Sequence, residues 1–262
     1  MNKTASCLSA LLLPFAMQVA FAGTTPPPMT PPPEEPFVTG NLTLAYNTHF
    51  ISYGQDIWQA GNDWDDALFN PSMELDFNLG KGWQAYLNLW FDVNDNSTSN
   101  ISKYVQEMDV NVGVYYTMDK WKFQLGYGAW NYASQTESII DGKISYNDGF
   151  WNPFLMLHGR VDSDLGPNFD NGLVAQVGIV PGTKLGPVSL TFPVTVSFDT
   201  DQYHGGDSGF AYASVGIGAS VPLCKHTSLN LGVTFYHTEE NVFPTNPDED
   251  FFTGTAGITI AF

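Results

Sequence analysis

Polar and apolar side chains alternate along most of this chain, and a period of two is the signature of β-strands whose two faces meet different surroundings. The run from Val188 to Asp199 shows it without interruption. Val188, Leu190, Phe192, Val194, Val196 and Phe198 share one face, and Ser189, Thr191, Pro193, Thr195, Ser197 and Asp199 share the other. Likewise Met73, Leu75, Phe77 and Leu79 oppose Glu74, Asp76 and Asn78, and Trp83, Ala85, Leu87, Leu89, Phe91 and Val93 oppose Gln84, Tyr86, Asn88, Trp90 and Asp92. Twelve segments read this way: 39–50, 69–80, 82–94, 104–117, 120–133, 136–147, 151–163, 171–181, 186–199, 209–222, 226–238 and 251–262. Each has about the length that a tilted strand needs to cross hydrocarbon, and no stretch after residue 36 is long and apolar enough for a membrane-spanning helix.

The connections fall into two kinds. Residues 80–82, 117–120, 147–151, 181–186 and 222–226 predict tight turns, whereas 51–69, 199–208 and 238–250 are longer and acidic; the link at 133–135 is short. An even strand number with short turns at one end and long loops at the other predicts a transmembrane antiparallel up-and-down β-barrel of about 12 strands. A soluble two-sheet sandwich also alternates, but its outer face needs charge for solubility, and the outward-assigned faces of these segments carry none. Aromatic residues band at both ends: Trp83, Trp121, Phe150 and Trp151 at the short turns, and Phe91, Phe198, Phe210, Phe235, Phe251 and Phe252 near the loops. Such girdles suit headgroup depth. The last strand ends in Ile258, Ile260 and Phe262, an aromatic terminus of the kind that barrel assembly machinery takes as its partner.

Charge and the N-terminus narrow the setting. There are 27 Asp and Glu against 9 Lys and Arg, which excludes nucleic acid as a partner. Only Cys7 and Cys224 are present, so the chain is no disulfide scaffold. Lys3, the apolar run 8–21 and Ala20-Phe21-Ala22 before Gly23 predict a cleaved signal peptide over 1–22. Residues 23–36 hold seven of the 17 prolines and predict a semi-rigid periplasmic linker, leaving 37–262 as the barrel. The expected location is the bacterial outer membrane, with lipid and lipopolysaccharide as neighbours.

Several short stretches also resemble a known group. Tyr46-Asn47-Thr48-His49-Phe50-Ile51-Ser52-Tyr53-Gly54-Gln55, Glu107-Met108-Asp109, Leu125-Gly126-Tyr127-Gly128 and Tyr132 make residues 38–133 similar to the TorF-type (Gcw_chp) porins of Gram-negative bacteria. Ser52-Tyr53 stands where that family usually has an Arg before the glycine. The resemblance implies a small exported barrel with a channel role and no catalytic residues.

With an apolar lipid face, strand charges must point inward. The inward acids are Glu74, Asp76, Asp92, Glu107, Asp109, Asp141, Asp162 and Asp199; the cations are Lys122, Lys143 and Arg160, with His158 beside the last. Strands two to four hold five acids and no base, while strands five to seven hold all three bases. Rows of charge set selectivity in hydrated pores, so the expected function is passive diffusion of small hydrophilic solutes with a preference for cations. Tyr86, Trp90, Tyr115, Trp130, Tyr212 and Tyr236 share the inner face. A barrel of this size lies between filled and open ones, so a non-conducting structural barrel is the alternative. Its acidic loops, around Asp199-Thr200-Asp201, Asp207 and Asp248-Glu249-Asp250, would then attract divalent cations. A rim hydrolase using His49, His204 or His237 is the remaining reading, although no G-x-S-x-G motif is present. No cofactor, resident metal or catalytic residue is expected.

Overall fold

The computed structural model describes residues 36–58, 64, 66–97, 99, 101–132, 134–165, 171–200 and 203–262. The chain divides into residues 1–36 and Phe37–Phe262. The signal segment expected over 1–22 and the linker expected over 23–36, save Pro36, lie outside the described residues.

Among the described residues the wall is built of strands alone: β1 (Val38–Asn47), β2 (Leu68–Gly80), β3 (Trp83–Val93), β4 (Val105–Met118), β5 (Trp121–Tyr132), β6 (Gln135–Tyr146), β7 (Phe154–Ser163), β8 (Gly172–Ile179, resumed at Gly182–Leu185), β9 (Val188–Thr191, resumed at Val194–Asp199), β10 (Gly209–Cys224), β11 (Thr227–Thr238) and β12 (Asp250–Ala261). Each pairs antiparallel with its successor. β1 also pairs with β12, from Asn41↔Ala261 to Asn47↔Thr255, and this closes the sheet. The result is a closed twelve-strand antiparallel barrel, as the alternation predicts. Closure leaves no strand edge unpaired, the condition that hydrocarbon imposes on a β-structure.

Tight turns form where small or left-handed residues permit them. Gly80, Lys81 and Gly82 all have positive φ, and Asp119 turns β4 into β5. The turn expected over 181–186 lies further along. Gly182–Leu185 pairs with Val188–Thr191, so the reversal comes at Gly186, which has φ +60°. Pro181 and Pro193, which cannot donate to a ladder, interrupt the two arms instead of ending them.

The two faces separate as the period requires. Leu125, Ile144, Val177, Ile217, Leu231 and Val233 are exposed on the outside, with Phe192 and Val194, while Tyr86, Tyr115, Trp130 and Tyr212 are buried inside. Trp83, Trp121, Phe150 and Trp151 ring the short-turn end, and Phe198 and Phe252 are exposed at the loop end. Phe251 departs from the expected girdle: it faces inward and stacks on Tyr236, with ring centroids 5.3 Å apart.

Asp162 departs too. Ile139 pairs with Arg160 and Ser138 with Asp162, so Val161 is an extra residue in β7. This bulge shifts the parity, and Asp162 is exposed rather than inward. On the inner wall, Gly113 and Gly126 leave the floor on which the Tyr86 ring lies, and Gln124 Nε2 donates to its hydroxyl at 3.2 Å.

Candidate functional site

Three loops fold into the mouth of the barrel. After β1, Ile51–Ser52 and Gln55–Asp56 form a small hairpin with Tyr53 and Gly54 at its tip, both in the left-handed region. Tyr53 stacks on the His158 imidazole of β7, centroid to centroid 3.9 Å, and faces Trp130 of β5 at 6.3 Å. Gly54 packs so closely on Tyr212 and Phe243 that a side chain there would collide with both rings. Residues of the loop after β11 hold the hairpin from above. Asn246 Nδ2 donates to the Gly54 carbonyl at 3.0 Å, and the Asp56 amide donates to Asn246 Oδ1 at 2.9 Å. Val242 and Phe243 of that loop are buried with Ala211 and Tyr212. From the loop after β9, Tyr203 and His204 enter and are buried as well.

Polar wall residues receive these loops. His158, fully buried, lies between Asp141 Oδ1 at 2.6 Å on Nδ1 and the Tyr203 hydroxyl at 2.6 Å on Nε2. Arg160 forms a buried ion pair with Glu137, donates from Nη1 to the Tyr203 carbonyl at 2.7 Å and lies 3.9 Å from the centre of the Tyr203 ring. Tyr132 donates its hydroxyl to Glu137 Oε2 at 2.7 Å. Asp199 pairs with His204, so this carboxylate is buried structure rather than part of a solvated cation-binding loop; Asp201 lies outside the described residues. Burial lowers the His204 pKa below the ordinary imidazole range, with Asp199 opposing. Burial likewise raises the Tyr53 and Tyr203 phenols above theirs.

The acids of β3 and β4 lie near the loop end. Asp92, fully buried, accepts from Trp58 Nε1 at 2.8 Å, Asn70 Nδ2 at 2.9 Å and Asn94 Nδ2 at 2.9 Å. Glu107 is its cross-strand partner. Asp109 stands in register between two tryptophans, Trp90 of β3 and Trp130 of β5. Glu74 and Asp76 lie lower, beside Asn88 and Tyr86. Lys122 and Lys143 sit toward the short-turn end, with Nζ 3.6 Å from the Tyr115 ring centre and 4.8 Å from that of Phe154 respectively. Charge is thus graded along the axis as well as around the wall.

A cavity of about 560 Å3 remains beneath the loops. Glu107, Asp109, Asn47, Asn70 and Gln176 supply its polar lining, and Phe50, Tyr53, Trp90, Trp130, Tyr212 and Tyr236 its aromatic lining. Among the described residues no group of three or more His, Cys, Asp or Glu could hold a metal ion.

Two parts of this site are absent from the inward residues expected from the sequence. Glu137 shares parity with Asp141 and Lys143, so the alternation could have found it; Tyr53 and Tyr203 sit in loops, where no periodicity marks an inward course. The rim histidines disperse: His49 Nδ1 meets Thr48 Oγ1 at 2.9 Å, His204 meets Asp199, and His237 Nδ1 meets Asp250 Oδ1 at 2.8 Å on the exposed outer rim.

No protein-family model matches the chain, and comparison with curated proteins finds no match. Solved structures do match. An outer membrane channel from Pseudomonas putida F1 superposes with a TM-score of 0.52 at 12 % identity, over 86 % of this chain and 95 % of that one. The KdgM porin, solved in complex with disordered oligogalacturonate, gives 0.50 at 8 % identity, over 86 % and 99 %. Outer membrane phospholipase A from Escherichia coli gives 0.46 at 15 % identity, over 88 % and 93 %. At these identities the likeness is one of fold, the closed outer-membrane barrel.

Proposed function

We propose that the protein is a porin-like channel of the bacterial outer membrane, through which small hydrophilic solutes diffuse with a preference for cations. The observation that carries this reading is the cavity of about 560 Å3 inside a barrel whose outer face is apolar, with Glu107 and Asp109 on its wall. Carboxylates on a hydrated path lower the local energy of a cation and raise that of an anion. Glu74 and Asp76 extend the acidic wall below it, and Lys122 and Lys143 oppose them toward the periplasm. The hairpin at Tyr53, with Tyr203 and Phe243, narrows the mouth, so the conductance is that of a constricted path. The resemblance to the TorF-type porins points the same way.

Planar-bilayer recording under a salt gradient tests the proposal. The wild type should pass current with a cation-selective reversal potential, and joint neutralisation by Glu107→Gln and Asp109→Asn should move that potential toward zero. A folded, inserted barrel that passes no current would sink the channel reading in favour of a structural barrel.

A further inference from the structure

Among the described residues, Asp109 is the one carboxylate of the cavity wall with an aromatic on each side in register. Trp90 is its cross-strand partner on β3, and Trp130 is its partner on β5. The side chain is only 7 % exposed, yet its Oδ1 accepts no hydrogen bond. A buried acceptor left unbonded keeps its desolvation cost uncompensated, the more so when charged, so such an atom in a cavity wall calls for a donor from outside the wall.

Among the described residues the surrounding charges do not supply one. Those acting on Glu107 and Asp109 are each other, Asp92 and Glu137, all of them acids. Arg160 is engaged by Glu137 and Tyr203, and Asp92 is bonded by Trp58, Asn70 and Asn94. Glu107 and Asp109 both line the cavity, and among its described lining residues there is no Lys or Arg, so an organic cation matches the site.

Lining chemistry selects among cations. Trp90, Trp130, Tyr212 and Tyr236 face the same space, and aromatic rings attract organic cations through their quadrupoles while packing on the attached carbon skeleton. Calcium or magnesium would want about six or more oxygens, and the described residues of the wall offer no such group. The volume, about 560 Å3, falls within the range of about 300–1,000 Å3 seen for small-molecule sites.

We propose that this cavity binds a small organic cation, an amine on an aromatic or aliphatic body, with its ammonium on the Glu107–Asp109 pair between Trp90 and Trp130. The proposal rests on the channel reading above and names the class of solute that the channel favours. The ammonium gives Asp109 Oδ1 the donor that its wall lacks. The solute's carbon body replaces water against the indole and phenol rings.

The probe is benzylammonium, with benzyl alcohol as its neutral counterpart, titrated calorimetrically into the folded barrel in detergent micelles. Benzylammonium should bind about tenfold or more tightly than benzyl alcohol. Asp109→Asn should remove that advantage, and Trp90→Leu, at a less buried position, should weaken benzylammonium about threefold or more. Heat-modifiable migration identifies variants that still fold. Equal binding of the two probes to the wild type overturns the proposal without recourse to any variant, as does full affinity in a folded Asp109→Asn barrel. Potassium chloride conductance is measured separately. Current without benzylammonium binding overturns the site and leaves the channel, whereas binding without current supports the site and overturns the channel.

Discussion

The phenol of Tyr86 occupies the place that a side chain at Gly126 would need. Its hydroxyl stands where a Cβ on that residue would be built, and its ring covers Gly113 of the intervening strand in the same way. One tyrosine on β3 therefore lies flat across β4 and β5, its hydroxyl reached by Gln124. This arrangement keeps the ring against the wall and out of the lumen. Gly113 of β4 and Gly126 of β5 thus make the space for one specific neighbour.

A methyl group at Gly126 must displace that ring. Gly126→Ala should destabilise the barrel by about 1–3 kcal/mol, the usual cost of overpacking. The measurement is urea unfolding of the micelle-bound protein. Combined with Tyr86→Ala the cost should be less than the sum of the two single changes, because the clash partner is gone. Additive effects would mean that the two residues do not touch.

Arg160 and Glu137 form an ion pair that is almost wholly buried. Removing one charge leaves the other without compensation in a poorly solvated place. Arg160→Met should therefore cost about 3–5 kcal/mol. Adding Glu137→Gln should recover a large part of that loss in the same unfolding assay. A double variant no more stable than Arg160→Met alone would contradict the pairing.

The wall of the barrel is legible in the sequence because parity alone assigns each residue to lipid or lumen, and hydrocarbon punishes any charge on the wrong side. Val188 to Phe198 reads correctly even across the break at Pro193, since the proline removes a ladder bond without changing the side on which Val194 falls. Parity fails where the chain gains a residue. The bulge at Val161 carries no residue type that marks it, and Asp162 moves from the expected inner face to the outer one. The turn at Gly186 is misread for a related reason, because Pro181 looks like the end of a strand that in fact resumes. Least legible is the mouth. Tyr53, Tyr203 and Phe243 are aimed inward by contacts with His158, Arg160 and Tyr212, residues far away in sequence, and no local period encodes such docking.

Acid should loosen that mouth at His204. Its imidazole is packed on Phe243, with ring centroids 4.6 Å apart, and buried against Asp199 and Tyr203, with Arg160 near. Burial lowers its pKa, with Asp199 opposing. An undocked imidazole takes up its proton near pH 6.5, above the docked one. The undocked loop thus binds more protons below that pH, and docking weakens as pH falls through the lowered value. Hydrogen exchange of residues 203–207 should accelerate from about pH 7 to about pH 5 by more than the intrinsic rates predict. In His204→Gln that excess should vanish; its persistence would assign the effect to another group.

The division between lipid and lumen is tested by placing the same kind of charge on each side. Ile217, near the middle of β10, is 51 % exposed on the outer face. Ile217→Arg puts a guanidinium at the depth of the bilayer centre, where such a substitution costs about 2–4 kcal/mol. Asn88 lies on the inner face, where its cross-strand partner is Glu74. Asn88→Lys gains an opposite charge across the ladder and should change stability by less than about 1 kcal/mol, since pairs of this kind contribute about 0.2–1 kcal/mol. The same variant should reduce cation preference in bilayer recordings, while Ile217→Arg should leave selectivity unchanged in whatever fraction folds. Urea unfolding in vesicles measures the first pair of effects. Should Ile217→Arg prove harmless and Asn88→Lys costly, the faces would be reversed, and with them the placement of Glu107 and Asp109 beside water.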